Sequence, residues 1–177
     1  GDALGLARLY FAMYGDAYPV DTPYLPERFI QEAERGDIFC VVARTPAGDI
    51  LGASSVFRSS APNPGCFEIG PTLILPEYRQ GRIVFLLYEF KIAHVLNNPR
   101  LEAVFGEAAC HHLTTQKLFL RLGMRPTALE LSLMPGEAYA QEQVAGRTSC
   151  LVFSRVASSA HSLVHAPERY AKALAFL

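Results

Sequence analysis

The sequence has almost no net charge. Its 16 lysines and arginines nearly balance 17 aspartates and glutamates, which gives a formal charge of −1 over 177 residues. A protein that attracts nucleic acid or an anionic membrane through its overall field carries a large positive charge. Neither partner is therefore expected, and any anion site must be local. Half of the residues are apolar, which fits one domain of ordinary size with a substantial core.

Cysteine pairs with metal-binding spacing are also missing. The four cysteines, Cys40, Cys66, Cys110 and Cys150, lie far apart and form no CxxC pair. Neither a zinc site nor a disulfide framework is indicated. We expect reduced thiols in the core of a cytoplasmic protein, and no bound metal.

Long apolar runs, a leader segment and internal repeats are missing as well. No apolar run approaches the length of about 18 residues that a membrane span needs. No charged segment followed by an apolar one opens the chain. Neither a membrane span nor a signal peptide is predicted.

The order of apolar and polar segments along the chain predicts an α+β fold, with a mixed central sheet flanked by helices. Helices are expected over residues 2–14, 26–35, 80–97 and 112–122. Strands are expected over residues 38–44, 50–57, 67–75, 101–107, 126–134 and 149–155. Gly70 and Pro71 interrupt the third strand, which indicates a bulge or an unpaired position. Helix 80–97 is apolar on nearly every side, so burial is expected.

The junction between the third strand and the following helix has an unusual sequence, LPEYRQGRIVF. Arg79 and Arg82 lie near the electropositive end of the helix, where cations are unfavourable. Gly81 between them costs about 1 kcal/mol relative to alanine in a helix. A phosphate bound to the free amides of the first turn would offset both costs. The alternative is that the arginines point to solvent or pair with Glu77 and another carboxylate.

Two segments resemble the GNAT superfamily of acyl-CoA-dependent N-acyltransferases. They are LILPEYRQGRIVFLLYEF and HHLTTQKLFLRLGMRPT, and the resemblance covers about residues 2–155. It implies that coenzyme A lies in a cleft where two central parallel strands splay apart. It also implies cofactor contacts, from the backbone of Ile74 and Leu75 to the acyl and pantetheine portion, and from the turn Arg79, Gln80, Gly81, Arg82, Ile83 and Val84 to the pyrophosphate. The family usually has glycine at the positions of Arg82 and Val84.

The resemblance also suggests catalytic residues. Glu107 is the first candidate for the base that deprotonates the amine, and Glu68 on the open strand is the second. The alternatives are a carboxylate that caps the next helix for Glu107 and a solvated edge residue for Glu68. His111 and His112 are candidates for base or acid, and the alternative is that they cap a helix or form local hydrogen bonds. Phe119 occupies the position at which the family usually has a tyrosine that acts as general acid, and a phenyl ring has no proton to donate.

The expected function is transfer of an acetyl group from acetyl-CoA to an amine of a small molecule or a protein. The alternative is a GNAT-like domain that binds an acyl-CoA and acts as a sensor or interaction module, which Phe119, Arg82 and Val84 favour.

The expected domain spans residues 1–156, with its first strand upstream of Gly1. Residues 157–177 are expected to form a linker and a helix that is cut off, so the chain is expected to be part of a longer protein with an additional domain. Whether it forms a homodimer stays open.

Overall fold

The computed structural model describes residues 1–58, 63–136, 146–157 and 167–174. The helices are α1 (Asp2–Tyr14), α2 (Pro26–Arg35), α3 (Ile83–His94), α4 (Thr114–Arg121) and α5 (Ala171–Leu174). The strands are β1 (Ile38–Arg44), β2 (Ile50–Arg58), β3 (Cys66–Ile74), β4 (Ala103–Ala109), β5 (Arg125–Pro135) and β6 (Arg147–Val156). Short 3₁₀ turns lie at Thr22–Tyr24, Pro76–Tyr78 and Glu168–Tyr170.

The six strands form one mixed sheet in the order β1-β2-β3-β4-β6-β5. Strands β3 and β4 are parallel, and every other neighbouring pair is antiparallel. The connection between the two parallel strands passes through α3, as a parallel crossover requires. This architecture confirms the predicted α+β fold with a mixed central sheet.

Helices cover both faces of the sheet. Leu6 and Leu9 of α1 pack with Phe29 of α2 on one face, which we call the α1 face. On the opposite face, the α3 face, Leu87 of α3 and Phe119 of α4 pack on the strands. Side chains alternate between the two faces along each strand, so residues next to each other in sequence serve different layers.

Strand β3 contains a bulge at the predicted place. Ser54 of β2 pairs with Thr72, and Val56 pairs with Ile69. Two steps along β2 therefore match three steps along β3, which places one extra residue at Gly70 or Pro71. Proline cannot donate to a ladder, and a bulge is where a strand tolerates it.

The two parallel strands separate after a short paired section. Their pairs are Cys66 with Ala103, Phe67 with Val104 and Glu68 with Phe105. Beyond this point β3 continues to Ile74 and β4 to Ala109 without further pairing between them. The splayed central strands that the resemblance implied are present.

Helix α3 corrects one prediction, since it is shorter than residues 80–97 and only partly buried. Leu87, Tyr88 and Lys91 face the sheet. Phe85, Leu86 and Phe90 are 53%, 53% and 55% exposed. A helix on one face of a sheet buries a single stripe, so an apolar residue on every side does not imply burial on every side. Helix α4 is also shorter than predicted, because its first turn begins at Thr114.

The cysteines are free thiols, but they are not all in the core. Cys150 is buried, Cys40 and Cys66 are half-buried, and Cys110 is exposed at the end of β4. The prediction of core cysteines is therefore wrong for Cys110. Its apolar sequence neighbours belong to a strand that ends one residue earlier.

The two ends of the fold complete the description. Among the described residues β1 pairs only with β2, so it forms an edge of the sheet. The predicted linker lies mostly in residues 158–166, outside the described residues, and a short helical segment follows Pro167. Within the described ranges, no helix has the length and apolar character needed to cross a membrane.

Candidate active site

The splay between β3 and β4 creates a cleft whose walls are the free edges of both strands. The N–H of Leu75 points to β2, where it donates to the Leu51 carbonyl at 2.9 Å. In a trans peptide bond the carbonyl points the opposite way, so the Ile74 carbonyl points into the cleft. The strand section expected to hold the acyl and pantetheine portion thus has backbone groups directed into the gap.

The N-terminus of α3 lies at the end of this cleft wall. Arg82 is the N-cap, and the first helical hydrogen bond runs from Leu86 N–H to the Arg82 carbonyl at 3.1 Å. In this described part of the chain no side chain caps the helix. The amides of the first turn are therefore available to an anion, and the helix dipole favours one there.

The two residues that replace the family's glycines do not both crowd this turn. Val84 is half-buried and packs against the core on the α3 face, so its side chain lies away from the turn. Arg82 is exposed. The cation at the turn is thus available to an anion from solvent, and the missing glycine at Val84 has little effect on the backbone of the turn.

Gly81 has no structural reason to be glycine in this conformation. An added Cβ atom would meet only the Tyr78 carbonyl oxygen, at 3.5 Å, which is an ordinary contact. Its φ lies outside the left-handed region, so other residues could adopt it. A glycine in open space at a helix N-terminus leaves room for a ligand to approach the backbone.

Arg79 lies closer to the cleft than the sequence suggested. Its Nε donates to the Ile74 carbonyl at 3.3 Å, and Nη2 lies 4.0 Å from Sδ of Met13. The side chain therefore folds back along β3 rather than over the helix end. It binds the Ile74 carbonyl, which belongs to the Ile74 and Leu75 backbone that the resemblance assigns to the cofactor.

Glu68 stands where the parallel strands begin to separate. It is the last residue of β3 paired with β4, and on its other side it pairs with Phe57 of β2. Phe57 packs on the α1 face, so the Glu68 carboxyl lies on that face too. Burial, followed by the charges of Glu107 and Glu130, raises the pKa of Glu68 from 4.5 to about 7. Its position in a central strand excludes the solvated-edge alternative.

Glu107 lies on β4 and shares the α1 face with Glu68. Its neighbour Gly106 faces Phe119 on the α3 face, so Glu107 points the other way. Burial, the charge of Glu130 and a hydrogen bond with Glu130 raise the pKa of Glu107. Helix α4 begins at Thr114 with Leu113 as its N-cap, so Glu107 does not cap that helix.

Glu130 of β5 is a member of this carboxyl group that sequence reasoning missed. It is half-buried, and its Oε2 atom is inaccessible to solvent. The flanking residues Leu129 and Leu131 are 56% and 76% exposed. The usual pattern is thus inverted on this strand, with the glutamate inward and the leucines outward. The one sequence signal that could have indicated this carboxyl was the position of Glu130 at the centre of a strand with alternating polar and apolar residues.

Four tyrosines, Tyr10, Tyr14, Tyr18 and Tyr24, form a cluster on the α1 face, and Tyr18 interacts with Glu68. Tyr18 lies 5.1 Å from both Tyr10 and Tyr14, measured between ring centroids, and the Tyr18 backbone N–H donates to the Tyr24 hydroxyl at 3.3 Å. Burial and then the other tyrosines raise the pKa of Tyr18, and Glu68 adds to this effect. The aromatic cluster therefore reaches the carboxyl at the mouth of the cleft.

Phe119 is a core residue and not a cleft residue. It is 2% exposed and stacks edge-to-face on Phe153 at 5.5 Å. A Cβ atom at Gly106 would lie 2.7 Å from Cζ of Phe119, so the tip of the ring rests directly on the β4 backbone. A hydroxyl at Cζ would have no room, which gives a structural reason for phenylalanine at this position.

The two histidines lie after the end of β4. His111 is exposed, and its Nδ1 lies 3.5 Å from Oγ1 of Thr148. The His112 carbonyl accepts a hydrogen bond from Nε2 of Gln116 at 3.0 Å, which helps to start α4. These contacts fit the local-bond alternative, and a catalytic role for either histidine stays an untested prediction.

A comparison with solved structures finds the same arrangement in other proteins. A GNAT-family protein from Desulfovibrio desulfuricans has a TM-score of 0.62 at 14% identity, covering 89% of this chain and 93% of that one. The spermidine/spermine N-acetyltransferase of Vibrio cholerae has a TM-score of 0.63 at 13% identity, covering 88% and 87%. The ribosomal-protein-alanine N-acetyltransferase of Brucella melitensis has a TM-score of 0.65 at 15% identity, covering 88% and 94%. The sequence matches no family model and no curated protein.

A mixed sheet with one parallel central pair that splays at a bulge, flanked by helices on both faces, defines the structural class. The chain has the GNAT fold, as the sequence resemblance implied. At identities of this size the likeness concerns the fold, and function has to be argued from the site.

Proposed function

We propose that the protein is an N-acyltransferase that moves an acetyl group from acetyl-CoA to a primary amine. The observation that carries this proposal is the opening of the β3–β4 pair at Glu68 and Phe105, with an ionisable carboxyl at the branch point. Two proteins of the same fold are named for acetylating amines, namely spermidine or spermine and the alanine of a ribosomal protein.

The residues at the cleft fit the parts of coenzyme A. The uncapped first turn of α3, with Gly81 and the exposed Arg82, would hold the pyrophosphate. The cleft-facing backbone at Ile74 would hold the pantetheine portion. Because Arg79 already donates to the Ile74 carbonyl, an amide of pantetheine would replace the guanidinium there. Arg79 would then be released towards the solvent side of the turn.

Glu68 is our choice for the general base. An amine must lose a proton before it attacks the thioester carbonyl, and a base works best with a pKa near the working pH. Glu68 meets that condition, because its pKa is raised to about 7. Glu68 takes one proton from the ammonium group, and the freed amine then bonds to the carbonyl carbon. The carbon–sulfur bond breaks with its electron pair on sulfur, and the second proton of the attacking nitrogen is lost to water. Burial keeps the pKa of Glu68 high, and the charges of Glu107 and Glu130 add to this effect, so all three carboxyls contribute.

The leaving thiolate needs no dedicated acid. Phe119 stands where the family usually has a tyrosine and cannot donate a proton. A cysteine thiol has an ordinary pKa of about 8.5, and a thiol is far more acidic than an alcohol, so the thiolate is a good leaving group and takes its proton from water. We therefore expect activity without an acid residue at this position.

The acceptor is expected to be cationic at neutral pH. Three carboxyls lie on the same face around the opening, and tyrosine rings border them. Carboxylates attract an ammonium group, and aromatic faces stabilise one through cation–π contacts. Both a small amine and the N-terminus or a lysine of a protein meet this description.

The test combines binding and turnover. Thermal melting with acetyl-CoA should show stabilisation of the folded state by about 2.7 kcal/mol at a hundredfold excess over Kd. Thiol release should then follow when small amines or amine-bearing peptides are added. No shift with any acyl-CoA would refute the proposal. Binding without thiol release across the amine panel would instead favour the acyl-CoA sensor, which the buried Phe119 supports as second candidate.

A further inference from the structure

Lys91 on α3 is buried where lysine is rarely found. Its side chain is 0% exposed and lies between α3 and the sheet. Nζ donates to Oγ of Ser54 on β2 at 2.6 Å and lies 4.4 Å from the ring centroid of Tyr88. Buried lysines are ordinarily paired with a carboxylate. This one instead has a hydroxyl and an aromatic face.

The contacts of Lys91 continue into a closed network. Oγ of Ser54 lies 2.8 Å from Oγ1 of Thr72 on β3, and that oxygen donates to the Tyr88 hydroxyl at 3.0 Å. Tyr88 returns to Lys91 through its ring. Two residues of α3 are therefore tied to one residue on each of two neighbouring strands, and every member has a partner.

This network is costly for stability. Burial lowers the pKa of Lys91 from 10.5 to about 7, and only the Cys40 thiol, a weaker influence, acts in the opposite direction. Cys40 of β1 and Tyr88 are titratable groups near Lys91, and burial raises the pKa of both. Replacing a buried ionisable group by an apolar one of similar volume is often stabilising. The stability of the core therefore does not account for a lysine here.

The network lies at the section of β3 that forms a wall of the cleft. Thr72 is the first residue of β3 that pairs with β2 after the bulge. It lies in the section of β3 that has left β4, so β4 contributes no ladder bonds to hold this cleft wall. The side-chain bonds to Ser54 and Tyr88 attach it to both β2 and α3.

We propose that Lys91 is a positioning residue: through Ser54, Thr72 and Tyr88 it fixes the splayed section of β3 against α3 and so sets the width of the cleft. The two cofactor contacts expected of this region, the β3 backbone and the α3 N-terminus, then keep a fixed separation. The consequence for cofactor binding rests on the proposed function, whereas the positioning itself does not.

The test compares Lys91→Met and Thr72→Val with Leu87→Met. Leu87 lies on the same buried stripe of α3 but outside the network, so its variant is the matched control. We expect faster amide hydrogen exchange in residues 72–75 of both network variants, while exchange in residues 38–44 stays as in the wild type. Acetyl-CoA affinity should fall by about tenfold or more, since small misplacements of a binding wall are costly. The control should change neither quantity.

A pH series separates this role from simple packing. The unfolded chain keeps the Lys91 proton up to about pH 10.5 and the folded chain loses it near pH 7, so the stability of the wild type relative to Lys91→Met should rise with pH between these values. Lys91→Met should be at least as stable as the wild type at pH 7. Reduced affinity in a variant of undiminished stability would support positioning.

Three outcomes would count against the inference or the function separately. Unchanged exchange in residues 72–75 would overturn the positioning role. Faster exchange with unchanged affinity would overturn the link to cleft width. If the wild type itself binds no acyl-CoA, the proposed function fails, and the exchange result still decides whether Lys91 positions β3.

Discussion

Replacing Glu107 by glutamine should move the pH–rate profile in a direction fixed by electrostatics. As the proposed base, Glu68 must be deprotonated to accept a proton, so kcat/KM should rise with pH through its pKa of about 7 and then level off. Glu107 is a negative neighbour that disfavours this ionisation. Its removal lowers the pKa of Glu68, and the acid limb should therefore move to lower pH.

The size of the movement is bounded by the order of the causes. The pKa of Glu68 rises from 4.5 to about 7, and burial contributes more than Glu107. Glu107 therefore accounts for less than half of the rise, and the limb should move by about 1 pH unit at most. At pH 6 the ionised fraction of Glu68 would change from about a tenth to about a half, which is a gain of up to about fivefold in relative rate.

The assay is thiol release at limiting amine from pH 5 to 9, with one amine for all proteins so that its own titration cancels. Glu130→Gln is the matched variant and should move the limb in the same direction by less, since Glu130 ranks below Glu107 among the causes. Loss of activity at every pH in Glu107→Gln would make Glu107 the base. An acid limb that stays in place would show that the two carboxyls are not coupled.

The other predictions concern the turn and the buried ring. Gly81→Ala should leave stability unchanged or raise it by up to about 1 kcal/mol, while its affinity for coenzyme A falls about tenfold. Equal affinity of the variant and the wild type in calorimetric titration would show that the open space at Gly81 is not used by the cofactor. Gly106→Ala should lose about 1–3 kcal/mol in urea unfolding because its Cβ would meet Phe119 at 2.7 Å, and a neutral result would contradict this packing. Arg82→Ala should weaken coenzyme A binding by about 1.5–3 kcal/mol. Arg79→Ala should weaken it by less, because Arg79 also bonds the Ile74 carbonyl. A larger loss of affinity in Arg79→Ala than in Arg82→Ala would mean that Arg79 is the main phosphate ligand. Phe119→Tyr should gain no rate and lose about 1–3 kcal/mol for a crowded hydroxyl, whereas a higher kcat would show that an acid is missing.

The sequence predicts the fold well because its strongest signals are local. Gly70 and Pro71 cannot both sit in a regular ladder, and the bulge lies there. The glycine after residue 35 ends α2 in a left-handed conformation with φ of 76°, as a helix C-terminus prefers. Such signals depend on backbone sterics and hold whatever the tertiary contacts are.

The site was harder to predict because it depends on contacts between distant strands. Glu68 and Glu107 could be proposed from their strands, but their coupling requires the register of the sheet. Glu130 escaped notice because the leucines beside it are exposed, which reverses the usual burial pattern. Lys91 escaped notice because a lone lysine in an apolar helix ordinarily faces solvent. The two strand residues of its network, Ser54 and Thr72, lie 37 and 19 residues before it in the chain.

A crystal structure with coenzyme A bound tests the central claim most directly. The account predicts the pyrophosphate at the first turn of α3, beside Gly81 and Arg82, and the pantetheine chain between β3 and β4 with Arg79 displaced from the Ile74 carbonyl. Coenzyme A bound elsewhere on the protein, with Arg79 still on that carbonyl and nothing at the turn, would contradict it.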